Sequence, residues 1–261
     1  DGSGKAAGSP ANAVKVSFRD ANLRYAGAGA DSLSDITFDV APGETVGIIG
    51  GTGSGKSSLV NMIPRFYDAS QGSVCIDGVD VKDYTLDELR HKVGVVPQKA
   101  VLFAGTIADN IRWGKQDATE AEIDEALEIA QAKEFVDGKE NGIYFKITQG
   151  GKNLSGGQKQ RLTIARAVVR KPEILILDDS ASALDFATDA ALRKAIREKT
   201  KGMTVFLVSQ RASTIMNSDK IIVMDDGQIA GIGTHRQLLS NCEIYREICQ
   251  SQLSEEELSH E

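Results

Sequence analysis

Cysteine and histidine are scarce in this 261-residue sequence, which has three residues of each type. Neither set shows the short, regular spacing that a zinc site requires. An odd number of cysteines also argues against a disulfide framework and is typical of reduced thiols in a cytosolic protein. The sequence therefore gives no sign of a metal or disulfide site built from Cys75, Cys242 and Cys249.

Long apolar runs and a surplus of basic residues are missing too. No apolar run approaches the roughly 18 residues that a membrane-spanning helix needs, and the N-terminus lacks the pattern of a signal peptide. We therefore expect a chain that is soluble by itself. The 30 basic residues are outnumbered by 37 acidic ones, for a formal net charge of -7, which argues against nucleic acid as a partner.

The length and a hydrophobic content of 41% suit one large globular domain. Residues 1–13 are rich in Gly, Ala and Ser, which is typical of a flexible leader or linker. The final segment, 252–261, is rich in glutamate and is expected to be a solvated acidic tail. The domain itself is therefore predicted to span 14–251.

Hydrophobic patterns predict the fold class. Alternation at Val14, Val16 and Phe18, and again over 36–40, indicates an early antiparallel sheet. Four short apolar runs are typical of buried strands, at 45–49, 174–177, 205–208 and 221–224. Helical spacing appears at about 56–66, 119–135 and 155–169, and the whole stretch 87–134 looks like a mostly helical insertion. Alternating strands and helices predict an α/β fold whose mainly parallel sheet is covered on both faces.

A glycine-rich segment at 50–57 matches the phosphate-binding P-loop pattern in full. Glycines let the backbone wrap tightly with its N–H groups facing the phosphates, and the helix that follows adds the positive end of its dipole. Lys56 would reach the β- and γ-phosphates of ATP, and Ser57 would ligate Mg²⁺. A plain glycine-rich turn is the alternative, which the flanking strand and helix disfavour. The predicted ATP-binding residues of this loop are Gly51, Thr52, Gly53, Ser54, Gly55, Lys56, Ser57 and Ser58.

A second motif delivers an acid at the carboxyl end of a buried strand. The apolar run 174–177 ends on Asp178, at the edge where open α/β sheets bind ligands. Asp178 would hold Mg²⁺ through its water shell. Taken alone, the pattern could equally be a core strand that ends in a solvated acid.

A third motif, Leu154-Ser155-Gly156-Gly157-Gln158, places a serine and two glycines at a predicted helix start. Such a start is another anion-binding terminus, with exposed N–H groups and a hydroxyl. One chain cannot easily place two such termini on the same γ-phosphate. The simplest interpretation is that this motif serves a nucleotide on a partner subunit, and a plain N-capped helix is the alternative.

With these motifs in this order, residues from about 14 to 250 resemble the nucleotide-binding domain of ABC transporters, and 154–158 resemble that family's signature. The resemblance implies a P-loop NTPase (RecA-like) core with an antiparallel β subdomain and a helical signature subdomain at about 87–168. It also implies ATP and Mg²⁺ as ligands. Two such domains would pair head to tail, with ATP between one P-loop and the other signature.

Other residues take a role from the same resemblance. Tyr25 resembles the aromatic residue that stacks on adenine. Gln98 resembles the glutamine that contacts Mg²⁺ and the attacking water, so the predicted metal set is Ser57, Gln98 and Asp178. The residues Ser182, Ala183, Leu184 and Asp185 resemble the loop that crosses the dimer interface. Without the resemblance, Tyr25 could be an ordinary core or surface residue, and Gln98 a surface amide that follows a strand. The segment 182–185 could simply cap a helix.

The segment 105–111 resembles the exporter branch of the family, in which a transmembrane domain usually precedes this domain in one polypeptide. The short spacing from Gln98 to Leu154 leaves no room for the long coiled coil of chromosome-maintenance relatives. The resemblance implies a transmembrane partner, a place on the cytoplasmic face of the cell membrane, and a chain excised from a longer one. The pattern is most similar to one half of a heterodimeric bacterial multidrug exporter.

Three positions depart from the family's pattern. Asp179 stands where a glutamate usually polarises the attacking water, Gln210 stands where a histidine is usual, and Gln149 replaces a glutamate that often communicates with the membrane part. The shorter aspartate draws its carboxylate back by about 1.5 Å of chain, and a misplacement of about 1 Å can cost roughly a hundredfold in rate. Gln210 can hydrogen-bond a γ-phosphate but carries no positive charge. Both changes should slow hydrolysis without stopping ATP binding.

The predicted catalytic set, Asp179, Gln210 and Gln98, therefore indicates a degenerate ATP site of low turnover. Its chain would supply an intact signature to the site of a different partner chain. Two alternatives stay open: an active homodimer that tolerates both substitutions, and a regulatory module in which ATP mainly holds the dimer together. A DNA-repair or translation-factor ATPase of the same superfamily is a weaker idea, because a coiled coil and a basic surface bias are missing.

Overall fold

The structure is a computed structural model that describes residues 13–180 and 182–254. The predicted leader and most of the predicted acidic tail, at 1–12 and 255–261, lie outside the described residues. Within them the strands are β1 Val16–Leu23, β2 Leu33–Val40, β3 Thr45–Gly50, β4 Gln71–Ile76, β5 Val79–Asp80, β6 Val93–Val96, β7 Gly105–Thr106, β8 Lys146–Ile147, β9 Ile174–Asp178, β10 Thr204–Val208, β11 Lys220–Asp225 and β12 Gln228–Gly233.

The helices of the same residues follow the strands or form a separate group beside them. They are α1 Lys56–Asn61, α2 Leu86–Lys92, α3 Ile107–Arg112, α4 Glu120–Ile129, α5 Lys133–Asp137, α6 Gly156–Val168, α7 Phe186–Lys199, α8 Ala212–Ile215, α9 His235–Asn241 and α10 Glu243–Gln252. None of the described helices is both long enough and apolar enough to cross a membrane.

A six-stranded sheet in the order β12-β11-β3-β10-β9-β6 lies at the centre of the molecule. The pairs from β11 to β6 are parallel, and β12 closes one edge as an antiparallel strand. These parallel strands are short apolar runs with both faces buried, as a sheet covered on both sides requires. The predicted α/β fold with a mainly parallel sheet is confirmed.

A four-stranded antiparallel sheet, in the order β2-β1-β4-β5, packs over one face of the central sheet. Successive side chains of a strand point to opposite faces. In β9, Ile176 therefore belongs to the core between the two sheets, whereas Leu175 and Leu177 belong to the core beneath the helices. The central sheet thus contributes to both cores, and the predicted early antiparallel sheet is confirmed.

Two predicted helices are shorter than their patterns suggested. The first was expected over 56–66 but ends at Asn61, because Pro64 lacks an N–H donor and disfavours helical backbone at the residue before it. Arg65 then has a φ of 58°. The second, expected over 119–135, is divided into α4 and α5 at Gln131, whose φ is 57°.

The mostly helical stretch predicted at 87–134 needs a larger correction. Val93–Val96, the strand β6, pairs with β9 in the central sheet, so this part of the stretch belongs to the core. A run of four apolar residues is too short to tell a strand from a buried helix. Beyond β6 the helices α3, α4 and α6 pack against one another. The predicted helix over 155–169 is confirmed as α6, which starts after its N-cap Ser155.

Candidate functional site

The glycine-rich loop between β3 and α1 lines a cleft at the carboxyl ends of the parallel strands. Gly53 and Gly55 have φ values of 79° and 98°, which glycine adopts far more readily than other residues. Gly50 has no room for a side chain, because a Cβ there would lie 2.2 Å from the Met224 carbonyl oxygen. The loop conformation therefore depends on glycine at these positions.

Lys56 is buried at the base of this loop. Its Nζ donates to the carbonyl oxygens of Gly50 and Gly51, both at 2.8 Å. Burial lowers the pKa of Lys56, and the charges of Asp179 and Asp178 oppose that shift. Lys56 is the first residue of α1, and that helix has no side-chain cap at its start. An ammonium group beside uncapped N–H groups is a suitable arrangement for a phosphate.

Asp178, the last residue of β9, is next to the hydroxyl of Ser57. The Ser57 Oγ donates to Asp178 Oδ1 at 2.9 Å. Burial raises the pKa of Asp178, the Ser57 hydrogen bond lowers it, and the charge of Asp179 raises it further. Carboxylate and hydroxyl oxygens are ligands that suit Mg²⁺, which usually takes one or two carboxylates together with substrate phosphates. Ser57 and Asp178 would therefore hold the ion, which would neutralise charge on phosphate oxygens.

Asp179 is half-buried in the same cleft and is paired with Gln98. The Gln98 Nε2 donates to Asp179 Oδ2 at 3.1 Å. The Asp179 backbone has a φ of 45°, and its N–H donates to the Val208 carbonyl at 2.8 Å. Burial raises the pKa of the Asp179 carboxyl, and the Gln98 hydrogen bond is the largest opposing effect. Gln210, two residues beyond the end of β10, lines the cleft as well.

Tyr25 stands at the edge of the cleft and is held at both its hydroxyl and its ring. Its OH lies 2.6 Å from Ser58 Oγ. The ring of Tyr67 meets its ring edge-on, with centroids 4.9 Å apart. Tyr25 is half-buried, so it is neither a core residue nor a fully exposed surface residue.

The cleft also has lining residues that sequence reasoning did not identify, namely Asp31, Ser32, Val208, Asp226 and Gly227. The dipeptide Asp226-Gly227 turns the chain between β11 and β12, and its N–H at Gly227 donates to the Ser54 carbonyl at 3.1 Å. An Asp-Gly dipeptide between two apolar runs is a turn signal. This dipeptide could have predicted the turn, but no sequence signal indicates that the turn contacts the P-loop.

The predicted signature residues Leu154, Ser155, Gly156, Gly157 and Gln158 are absent from the cleft's lining. The Ser155 Oγ accepts from the Gln158 N–H at 3.1 Å, so the hydroxyl caps α6 as the alternative interpretation had it. Among the described helices, four others start with a similar capping box, so the cap alone does not distinguish this motif. Ser155 and Gly156 are exposed, and a Cβ on Gly157 would lie 3.1 Å from the Ala183 carbonyl oxygen.

The loop of Ser182, Ala183, Leu184 and Asp185 therefore lies beside the start of α6. Asp185 caps α7 by accepting from the Thr188 N–H at 2.9 Å, as a plain helix cap would. Ser182 and Ala183 are exposed, whereas Leu184 is buried. The loop and the start of α6 thus approach each other closely where Gly157 lies beside Ala183.

A family model described as ABC transporter matches residues 33–182, which contain the P-loop, Asp178 and the segment 154–158. The chain belongs to the ABC transporter family. This ABC domain is 45% identical over 240 residues to an uncharacterised ABC transporter ATP-binding protein of Mycobacterium tuberculosis, covering 91% of the domain and 41% of that protein. It is 44% identical over 232 residues to a probable multidrug resistance ABC transporter ATP-binding/permease protein of Bacillus subtilis, covering 89% of the domain and 40% of that protein.

Among solved structures, the ABC domain is similar to a bacterial Atm1-family ABC exporter with ATP bound. The TM-score is 0.89 at 37% identity, covering 94% of this chain and 43% of that chain. The domain is thus an ATP-binding domain of the exporter type. It spans less than half the length of these relatives.

Proposed function

We propose that this ABC domain binds Mg²⁺-ATP at a degenerate, slow site and completes a second, active site on a different partner chain. The paired domains would couple ATP binding and hydrolysis to export across a membrane. In this arrangement Lys56 binds the phosphates, Ser57 and Asp178 hold the ion, and Tyr25 stacks on the adenine.

The main observation that supports a degenerate site is the hydrogen bond between Asp179 and Gln98 inside the cleft. The short Asp179 side chain has its Oδ2 engaged by the Gln98 amide at 3.1 Å. A general base must lie within hydrogen-bond reach of the water that it deprotonates. We infer that a carboxylate held back in this way activates water poorly, and that Gln210 adds a hydrogen bond to the γ-phosphate without charge.

The exposure of the signature segment 154–158 supports the proposal that a partner chain binds there. The cleft contains the P-loop, Asp178, Asp179 and Gln210 but none of 154–158. Ser155 and Gly156 are exposed at the start of α6, where N–H groups and a hydroxyl could meet the phosphates of another chain's nucleotide. A head-to-tail pair of domains supplies both halves of each site.

An exposed aromatic patch on the helical side supports a transmembrane partner. Phe103 and Trp113 stack with ring centroids 4.8 Å apart and are 44% and 67% exposed. Val101 beside them is also exposed, and Arg166 donates to its carbonyl at 2.8 Å. Exposed clusters of large apolar residues mark interaction sites. With such a partner, the domain would work on the cytoplasmic face of the cell membrane.

Steady-state ATP turnover, measured beside ATP affinity, tests the degenerate site. We expect Mg²⁺-dependent ATP binding with negligible turnover even at high protein concentration. Lys56→Ala should weaken ATP binding at least about tenfold, because it removes a buried charge that contacts phosphate. The matched control is Lys201→Ala, which removes an exposed lysine outside the cleft.

An active homodimer is the alternative, and mixing two inactive variants distinguishes it. Lys56→Ala inactivates the P-loop of one chain, and Ser155→Arg inactivates the signature of the other. A mixed homodimer therefore keeps one intact site, made of the P-loop of the Ser155→Arg chain and the signature of the Lys56→Ala chain. Turnover that rises with the square of protein concentration, together with partial recovery in the mixture, would contradict the proposal. Binding without turnover in every sample, even after the natural partner is added, would favour the regulatory module.

A further inference from the structure

Gln252, the last residue of α10, forms hydrogen bonds with the loop that carries Gln210 beside the cleft. The Gln252 Nε2 donates to the Gln210 carbonyl oxygen at 2.8 Å, and its Oε1 accepts from the Ala212 N–H at 2.8 Å. One side-chain amide therefore binds the backbone on both sides of Arg211. The nitrogen and the oxygen of the Gln252 amide each make one of these hydrogen bonds.

This contact also completes the start of α8. Arg211 is the N-cap of that helix, and its side chain makes no cap hydrogen bond. The first N–H groups of a helix have no partner within the helix itself. Gln252 supplies the missing acceptor from 40 residues further along the chain. The backbone at 210–212 is thus held by α10 on both sides of Arg211, whose own N–H donates to the Ser209 Oγ at 3.0 Å.

The opposite side of the loop is held by the guanidinium of Arg211. It donates to the Ser182 carbonyl at 3.2 Å and the Leu184 carbonyl at 3.4 Å, and it lies 5.2 Å from the centre of the Phe186 ring. Gln210 therefore lies between two attachments of the backbone, one through Arg211 to the loop 182–185 and one to α10. Its own side chain is exposed and lines the nucleotide cleft.

The helix that carries Gln252 is anchored to the body of the domain. Tyr245 and Cys249 on α10 are fully buried. The Tyr245 hydroxyl lies 2.7 Å from Nδ1 of His235, on α9. The helix also packs against α8. A hydrogen bond from such a helix fixes the loop to a rigid part of the fold.

We propose that Gln252 is a positioning residue for the nucleotide: through its two hydrogen bonds, α10 holds the backbone at Gln210 so that the Gln210 amide meets the γ-phosphate. This inference rests on the proposed function, because it assumes that the cleft binds ATP. It goes further by assigning to α10 a part in distinguishing ATP from ADP. ADP lacks the γ-phosphate, so its binding is independent of Gln210.

The test compares the affinity of the full chain for a non-hydrolysable ATP analogue and for ADP, both with Mg²⁺. Gln252→Ala removes both hydrogen bonds. Gln252→Glu keeps the acceptor for Ala212 but cannot donate to the Gln210 carbonyl. We expect each variant to bind the analogue about three- to tenfold more weakly than the wild type, which is the usual effect of losing one hydrogen bond. The affinity for ADP should stay within about twofold of the wild-type value. The matched control is Gln250→Ala, an exposed glutamine on the same helix.

An unchanged ratio of the two affinities in a Gln252→Ala variant that is folded by circular dichroism overturns the positioning role. If that variant loses ADP binding through misfolding, Gln252→Glu decides the question by the same ratio. A wild-type chain that binds neither nucleotide overturns the proposed function and this inference with it. A wild-type chain that binds both, with a ratio that Gln252→Glu does not change, overturns this inference alone.

Discussion

Asp179 combines a polar partner with an uncommon backbone conformation. Its φ of 45° lies in the left-handed region, where aspartate and asparagine are enriched because their short side chains bond locally. Its Oδ2 accepts from Gln98, and its charge lies near Lys56. The geometry at this residue suits a carboxylate that is held in place, which is why its length matters for any role in activating water.

Lengthening this side chain should raise ATP turnover. Asp179→Glu combined with Gln210→His moves the carboxylate one methylene outward and supplies a group that can carry positive charge. We expect turnover to rise on the order of tenfold to a hundredfold in steady-state assays, at protein concentrations where two copies pair. Asp179→Asn with Gln210→His is the control, since it lacks the base. Equal turnover in the two double variants would contradict the role given to Asp179.

At the scale of elements, the helical group depends on close backbone contact between α3 and α6. Gly114 follows the end of α3, and a Cβ there would lie only 2.0 Å from the Arg166 carbonyl oxygen of α6. Such a distance between a carbon and a backbone oxygen cannot be relieved by rotating a side chain. The two helices would have to move apart.

Gly114→Ala should therefore destabilise the domain by about 1–3 kcal/mol, the usual cost of overpacking. Urea denaturation followed by circular dichroism measures it. Gly138→Ala is the matched control at the end of α5, where the nearest atoms are 3.6 Å away and the φ of -76° suits alanine. It should be neutral or slightly stabilising. Equal losses in both variants would mean that the close contact is unimportant.

At the scale of the whole molecule, the central sheet joins two hydrophobic cores. Its strands contribute one set of side chains to the core beneath the antiparallel sheet and the other set to the core beneath the helices. The P-loop and Asp178 both leave from this sheet. A ligand held at its edge should therefore stabilise both cores together.

Mg²⁺-ATP should raise the melting temperature of the whole domain in a single transition. Ligand at a hundred times its Kd contributes about 2.7 kcal/mol, which for a domain of this size corresponds to about 5–11 °C. Differential scanning calorimetry measures the shift, and Lys56→Ala at the same ATP concentration should show at most about half of it, because its Kd is at least about tenfold higher. Two transitions, of which ATP moves only one, would contradict the view that both cores unfold together.

Much of the fold and most of the candidate site were predictable because their signals lie in consecutive residues. The segments 50–57 and 154–158 and the strand that ends on Asp178 are local patterns, and their chemistry depends on neighbours in the chain. Four of the five described parallel strands were visible as short apolar runs, whereas β6 was assigned to the helical stretch. The helix breaks near Pro64 and Gln131 were not predicted, because a hydrophobic period continues across a local change of backbone conformation.

The sequence by itself was enough to predict which residues bind phosphate and Mg²⁺, since that prediction depends on residue types and their local spacing. Only the tertiary structure decided which distant residues meet. Ser57 and Asp178 are 121 residues apart, Gln98 and Asp179 are 81 apart, and Gln210 and Gln252 are 42 apart. It likewise placed β6 in the central sheet and the Asp226-Gly227 turn beside the P-loop. These contacts follow from strand order and helix packing, which no local pattern of residues specifies.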